Sequence, residues 1–385
     1  MRLRPFLAAL ACIGFMLACG AHSDNSLPKP VTPTGNLTIR FGSDSFPGYS
    51  QVVVSLEKIE ATTDGTHWIF LGNVQTTLNL MNLQNGNSVV ILPATAVTPA
   101  TYTQFRITWA TVTYPSAGGW PGFALPINGT AQQMSMPLTT VVNGTVVVAA
   151  NASSNAQIML SGQQAVANRL VGINATYTFQ ATGNAYDLST TARITGQVTN
   201  GSTPLAGAEV FAETVDLTGL ATIQRRAFTN ASGNYALEGL PTGSTYFVVA
   251  QPWNYSSAYQ AMASTAVNAT SATGYTANLA FTGPLPPSYD LTVIITPPST
   301  LVQSTWAELR QLLPTGSAGS KTLLVRSQSA DTGQYQDGTD FFGLFPGTYG
   351  VTAQRSTSGA TPLMKVGTQI PVSTGGSATT TLTYP

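Results

Sequence analysis

The sequence predicts an all-β protein: tandem β-sandwich domains behind an N-terminal leader. Three observations predict it. Apolar and polar residues alternate over short runs, as in Leu37, Ile39 and Phe41 against Thr38 and Arg40, and a period of two marks a half-buried strand. Pairs that tolerate positive φ angles fall between such runs: Asp64-Gly65, Asn85-Gly86, Asn128-Gly129, Asn143-Gly144, Asn200-Gly201 and Asp337-Gly338. Composition agrees, because 43% of residues are hydrophobic and only 8% are charged, which leaves Ser, Thr, Asn and Gln to face water. Branched Thr side chains suit a pleated surface.

The 385 residues suffice for two or three domains, and the chain opens on a leader. Arg2 and Arg4 precede an apolar run from Phe6 to Ala18, too short to cross a bilayer that needs ~20 residues. The run ends in Met16-Leu17-Ala18-Cys19-Gly20, which resembles a lipobox, although Met16 stands where Leu is usual. The resemblance implies a signal peptide over 1–18 and a diacylglycerol-modified Cys19. Cys12 leaves with the leader, so Cys19 is the last thiol, and an unpaired exported Cys needs a reason that lipidation supplies. Each buried CH₂ of the acyl chains adds ~0.8 kcal/mol to anchoring. Gly20 rather than Asp after the Cys implies, by the same resemblance, the outer membrane of a Gram-negative bacterium. Residues 19–35, with Pro28, Pro30 and Pro33, read as an extended tether.

The first domain is expected over 36–188. Val52, Val54 and Leu56, and then Phe105, Ile107 and Trp109, alternate with polar neighbours. The second is expected over 192–282, and the third over 288–385 after the stiff Gly283-Pro284-Leu285-Pro286-Pro287 linker. In the third, Trp306, Leu309 and Leu313 have helical spacing, but an internal repeat argues for strand. Tyr246-Phe-Val-Val-Ala-Gln251 after Gly239-Leu-Pro matches Tyr349-Gly-Val-Thr-Ala-Gln354 after Gly343-Leu-Phe-Pro, and Ala208-Glu209 matches Ala307-Glu308. Pro99-Ala100-Thr101-Tyr102 is a weaker echo of Pro346-Gly347-Thr348-Tyr349, of a kind that generic hairpin chemistry also produces.

The second domain resembles the carboxypeptidase regulatory-like family, a small transthyretin-like sandwich. Gly196, Val198, Pro204, Gly207, Ala208, Val210, Thr229, Gly233, Tyr235, Leu240, Pro241 and Gly243 match its signature, with one extra residue between Gly243 and Tyr246. The third domain matches the later half only. The first domain resembles domain of unknown function 4382, through Gly35-Asn-Leu-Thr-Ile, Val52-Val-Val-Ser-Leu-Glu-Lys-Ile, Trp68 with Leu71, Leu78-Asn-Leu80 and Ala100-Thr-Tyr-Thr-Gln-Phe-Arg106. That family implies no activity.

Chemistry is sparse. After the leader the chain carries 13 basic and 15 acidic residues and no basic patch, which argues against a nucleic-acid partner. His22 sits in the tether. His67, beside Asp64-Gly65 and Trp68, reads as a surface residue without a partner or pocket for base catalysis. No nucleophile elbow, zinc motif or P-loop is present, so no cofactor is expected. Asp331, Asp337 and Asp340 could place oxygens around Ca²⁺, against the plainer reading of a solvated hairpin. Trp109, Trp120, Trp253 and Tyr255 are the candidate ligand-binding aromatics, against the plainer reading that they close the ends of the sandwiches. The expected role is a non-enzymatic lipoprotein, attached to the membrane by its lipid, with spacer and interaction modules that meet a glycan or another envelope protein. The alternative is a carbohydrate-binding lipoprotein using loop aromatics; a hydrolase comes last.

Overall fold

The computed structural model describes residues 34–46, 48–115, 119–162, 165–171, 174–180, 182–252, 261–281, 289–296, 303–332, 337–357, 363–372 and 377–384. Among them the regular structure is strand and short 3-10 turns, with no α-helix. No helix there is long and apolar enough to cross a membrane. Residues 1–33, with the expected leader, Cys19 and most of the expected tether, and the 283–287 linker lie outside the described residues, while Gly35 at the end of the expected tether already belongs to the first strand.

The first module comprises β1 (Gly35–Ser43), β2 (Tyr49–Thr62), β3 (Ile69–Asn79), β4 (Ser88–Val97), β5 (Ala100–Trp109), β6 (Gly122–Pro126), β7 (Gln132–Ser135), β8 (Thr139–Val148), β9 (Ser153–Ser161), β10 (Val166–Val171), β11 (Asn174–Phe179) and β12 (Thr182–Asp187). All twelve belong to one sheet, in which β3-β2-β5-β8-β12-β9-β1-β4 are neighbours and β6, β7, β11 and β10 continue from β2 towards the third module. The run from β3 to β4 folds over until its ends meet, with the Leu92 side chain of β4 lying over Gly72 of β3. The alternating residues named above point inward, and Leu37, Ile39, Phe41, Val52, Val54, Leu56, Phe105, Ile107 and Trp109 are all buried. A bulge between Leu56 and Lys58 then moves the inward phase of β2 to Ile59 and Ala61.

Two expected turns are strand instead. Asn143-Gly144 lies inside β8, where a Cβ on Gly144 would stand 1.9 Å from the Ala185 carbonyl oxygen of β12. The glycine is there for close approach of a neighbouring strand, not for turning. Asp337-Gly338 opens a strand of the third module. Asn85 and Asn128 do turn the chain, at φ of 57° and 63°.

The second module comprises β13 (Thr191–Asn200), β14 (Thr203–Pro204), β15 (Ala208–Val215), β16 (Ala221–Phe228), β17 (Asn234–Pro241), β18 (Ser244–Pro252), β19 (Met262–Ala263), β20 (Val267–Ala269), β21 (Gly274–Thr276) and β22 (Leu279–Phe281). One sheet runs β14-β13-β17, with β21 and β22 beside β13; the other runs β16-β15-β18, with β19 and β20 beside β18. The third module comprises β23 (Tyr289–Thr296), β24 (Gln303–Pro314), β25 (Ser320–Ser329), β26 (Asp331–Thr332), β27 (Asp337–Leu344), β28 (Gly347–Thr357), β29 (Leu363–Val372) and β30 (Ala378–Thr383). Its sheets run β30-β23-β27-β26 and β25-β24-β28-β29, the same plan. The Trp306 segment is therefore strand, as the repeat requires. Pairing corrects the repeat in one detail. Ala250 faces Val210 and Ala353 faces Ala307, so the counterpart of Ala307 is Val210 and not Ala208. A two-residue slip keeps every side chain on its own face, so the hydrophobic pattern is blind to it.

All three modules share one device. A buried tyrosine donates its hydroxyl back to the turn before its strand: Tyr102 to the Thr98 carbonyl at 2.8 Å, Tyr246 to Pro241 at 2.7 Å and Tyr349 to Phe345 at 2.6 Å. The acceptor lies four residues upstream in the outer modules and five in the middle one. That difference accommodates the extra residue between Gly243 and Tyr246. Burial raises all three phenols above their ordinary pKa, so each remains a proton donor. Tyr102→Phe, Tyr246→Phe and Tyr349→Phe each leave a carbonyl without its partner. Each is expected to cost about 1–2 kcal/mol, seen as a lower urea midpoint at unchanged slope.

Candidate functional site at the module junctions

The aromatic candidates separate. Trp109 is buried in the first core, where its indole N–H donates to Thr140 Oγ1 at 2.8 Å and its ring meets Phe179 edge-on at 5.2 Å. That placement leaves no face for a ligand. Trp120 is 43% exposed. Trp253 and Tyr255 lie outside the described residues.

Of the acidic candidates, Asp337 and Asp340 are not brought together. Asp337 is buried and accepts from Arg355 Nη2 at 3.0 Å and Thr305 Oγ1 at 3.1 Å. Asp340 is exposed and accepts from Thr292 Oγ1 at 2.6 Å. Three residues apart on a strand means opposite faces. The Asp331 backbone pairs opposite Gly338. Among the described residues no cluster of three His, Cys, Asp or Glu side chains could hold a metal.

His67 does have a partner, contrary to expectation. Its Nδ1 lies 2.6 Å from Asp64 Oδ2, and Asp64 Oδ1 accepts from the backbone N–H groups of Thr66 and His67 at 2.8 Å each. The backbone bond from His67 leads in holding the Asp64 carboxyl well below the usual range, and Asp64 in turn raises the imidazole pKa. With the His67 side chain 89% exposed, the pair caps a hairpin tip and encloses no pocket.

Buried charge gathers where the modules meet. In β15 all six residues from Ala208 to Glu213 are buried. Val210 and Ala212 face the second core, while Phe211 joins Phe247, Val249 and Leu324 in a cluster continuous with the third. Glu209 and Glu213 flank Phe211 on that outer face, and β24 presents buried Trp306, Glu308 and Arg310. Arg226 of β16 pairs through Nη1 with Glu209 Oε1 at 2.7 Å, and its guanidinium lies 4.8 Å from the Phe211 ring and 5.9 Å from Trp306. Its backbone N–H donates to Asp44 Oδ1 at 3.5 Å, and its carbonyl accepts from the Ser45 N–H at 3.4 Å. One residue thus touches all three modules. Arg310 donates to the Ala221 carbonyl at 2.6 Å and to Glu308 at 2.8 Å, and Glu213 accepts from the Leu324 N–H at 2.9 Å. Glu213 Oε1 is buried without a hydrogen-bond partner. Burial pushes Glu213 up to about 8, against the pull of the Leu324 N–H and Arg310, and pushes Asp44 up to about 6, against Arg225 and Arg226.

The first module also covers an open edge of the second. The Ala236 N–H donates to Asn85 Oδ1 at 2.6 Å, and Asn85 Nδ2 donates to the Asn234 carbonyl at 3.4 Å, so one side-chain amide imitates a ladder on β17. Further along β17, Arg225 donates to the Glu238 carbonyl at 2.8 Å and the Gly239 carbonyl at 3.1 Å. Beside this contact the two modules leave a groove of about 1060 Å³, and a hollow of about 440 Å³ also bordered by Arg193 adjoins it. Arg193 Nε meets Glu238 Oε1 at 3.1 Å in the groove wall, and Arg40 Nε donates to Ser88 Oγ at 2.9 Å. Burial raises Glu238 while Arg193 and Arg40 pull it back. Sequence reasoning missed both the junction and the groove. The only linear signal for the junction is a Phe between two Glu on one face of β15.

Residues 34–179 match the model of a domain of unknown function, DUF4382. No curated protein matches the chain. Among solved structures it is similar to the Bacillus anthracis TIE protein, at 10% identity over 91% of this chain and 51% of that one, with a TM-score of 0.20. The chain thus spans about half the length of that protein. A streptococcal ancillary pilin is 9% identical over 91% of this chain and 99% of the pilin, with a TM-score of 0.22. A DUF3823 family protein from Parabacteroides merdae is 10% identical over 48% of this chain and 100% of its own, with a TM-score of 0.20.

Glu213 sets a pH dependence with a definite sign. Its carboxyl goes from an ordinary 4.5 to about 8 on folding. Its contribution is therefore whole below about pH 4.5 and is lost as pH rises through about 8. Glu213→Gln is expected to flatten this part of the stability profile and to gain on the order of 5 kcal/mol over the wild type at the alkaline end. Urea titrations across the range would check it, and a profile of unchanged shape would refute it.

Proposed function

We propose that the protein is a non-enzymatic, lipid-anchored envelope protein whose three sandwich modules form one stiff arm carrying an interaction surface away from the membrane. The observation that carries this reading is Arg226, whose backbone and side chain engage the first, second and third modules at once. A string of loosely linked sandwiches would leave those groups in water. Instead Glu209 and Arg226, paired within the second module, are desolvated, and the Trp306 ring of the third module lies over the guanidinium. The anchoring part rests on the sequence around Cys19. The Pro-containing stretch after it would reach about 50 Å at ~3.1 Å per residue, enough to clear a headgroup layer. The resemblance of the second and third modules to transthyretin-like sandwiches fits a spacer role.

Metabolic labelling with radioactive palmitate and envelope fractionation test the anchor. The wild-type chain is expected to take up label and stay with membranes, whereas Cys19→Ser is expected to be unlabelled and soluble. Unlabelled wild-type protein in the envelope would defeat this half of the reading. Stiffness is tested by replacing the buried pair together, Glu209→Gln with Arg226→Met, which leaves no lone charge inside. The expected outcome is folded modules with a larger radius of gyration in small-angle scattering. An unchanged radius would show that the pair does not set the arrangement.

A further inference from the structure

We propose that the groove between the first module and strands β13 and β17 is a binding site for an extended, neutral glycan chain held through its hydroxyl groups. The size permits it. Ligand pockets occupy roughly 300–1,000 Å³, and a groove of about 1060 Å³ with an adjoining hollow of about 440 Å³ accepts several linked sugar rings.

The chemistry of the walls selects the ligand. Arg40, Arg193, Glu238 and Asp187 line the groove together, so the formal charges cancel and no ionic ligand is favoured. Each charged group is planar and offers neighbouring donors or acceptors, which is what adjacent hydroxyls require, since every hydroxyl donates once and accepts as well. Arg193 meets Glu238 through Nε, lines the groove and has a side chain 52% exposed, so its guanidinium is accessible to a ligand there. Thr195 and Gln197 follow at period two on the same face of β13 and line the adjoining hollow. An extended peptide fits less well. It would need an open strand edge or apolar pockets for alternate side chains, and the β17 edge is already taken by Asn85 and Arg225. The larger hollow has no aromatic lining among the described residues, so ring stacking is not the means of recognition.

Gly274 gives the proposal a sharp test. It lines the groove, and a Cβ added there meets no atom within 4 Å, so a large side chain can fill the space without disturbing the fold. The full chain without its leader is titrated calorimetrically with cellohexaose, laminarihexaose and N-acetylchitohexaose. At least one is expected to bind with a Kd of about 1 mM or tighter. Arg193→Ala is expected to weaken that binding about tenfold, and Gly274→Trp to abolish it, with circular dichroism and thermal midpoints of both variants matching the wild type. Trp120→Ala is expected to bind as the wild type does. No binding of any of the three at about 10 mM overturns the proposal. So does binding that survives Gly274→Trp, or binding lost in Trp120→Ala, either of which moves the site elsewhere. Displacement of the bound sugar by an unstructured Ser-Ala peptide would assign the groove to polypeptide and overturn it too. None of these outcomes bears on whether Cys19 is acylated.

Discussion

A charge taken out of water must meet a counter-charge or give up its proton, and that requirement governs how the modules of this chain sit together. Although only 8% of its residues are charged, twelve charged side chains are buried among the described residues, including Asp44, Glu209, Glu213, Arg226, Glu308 and Arg310. Those six lie where the modules meet. An apolar face alone tolerates sliding, because hydrophobic burial has no direction. Arg226 does not tolerate it: displacement of the first module would part its backbone N–H from Asp44, and displacement of the third would take the Trp306 ring from over its guanidinium. The Arg310 bond to the Ala221 carbonyl and the Glu213 bond from the Leu324 N–H restrict the second and third modules in the same way.

Sheet edges supply the other half of the arrangement. A sandwich leaves unpaired backbone groups along its outer strands, and these invite aggregation unless covered. In the second module the exposed side is that of β16 and β17. The Asp44-Ser45 loop covers one and the Asn85 turn the other, both from the module before it. In the third module the equivalent strands are β25 and β27. Strand β25 packs against the second module's sheet, and β27 is paired by β26, which itself pairs with β10 of the first module through Arg169 and Thr332. The repeated plan exposes the same side twice, and preceding parts of the chain close it twice.

Much of the fold was legible because it is local. Alternation in β1, β2 and β5 picked out the buried residues, and the repeat overrode the helical spacing of Trp306, Leu309 and Leu313. The failures are equally physical. Asn143-Gly144 carries turn chemistry, yet the glycine is needed because β12 passes within contact of it, and a sequence does not announce its neighbours. Glu209, Phe211 and Glu213 share one face of β15, and nothing in the sequence says that another module lies on top of it. Asp64 was noticed as a turn residue and not as the partner of His67, which its own side chain reaches across three residues. The groove was beyond reach altogether, since Arg40, Arg193 and Glu238 come from three distant strands in two modules.

That last point ties the junction to the groove. A site whose walls belong to different modules exists only while those modules keep one relative position. If the junction opened, the fraction of molecules with a formed groove would fall, and apparent affinity would fall by the same factor. Arg226 therefore need not touch a ligand to matter for binding, because its backbone bonds with Asp44 and Ser45 of the first module help to keep the site assembled. Protonation then acts at both scales. The raised pKa of Glu213 and Asp44 makes the buried faces easiest to hold together in acid, so the arrangement of the arm and the integrity of the groove rest on the same few carboxyl groups.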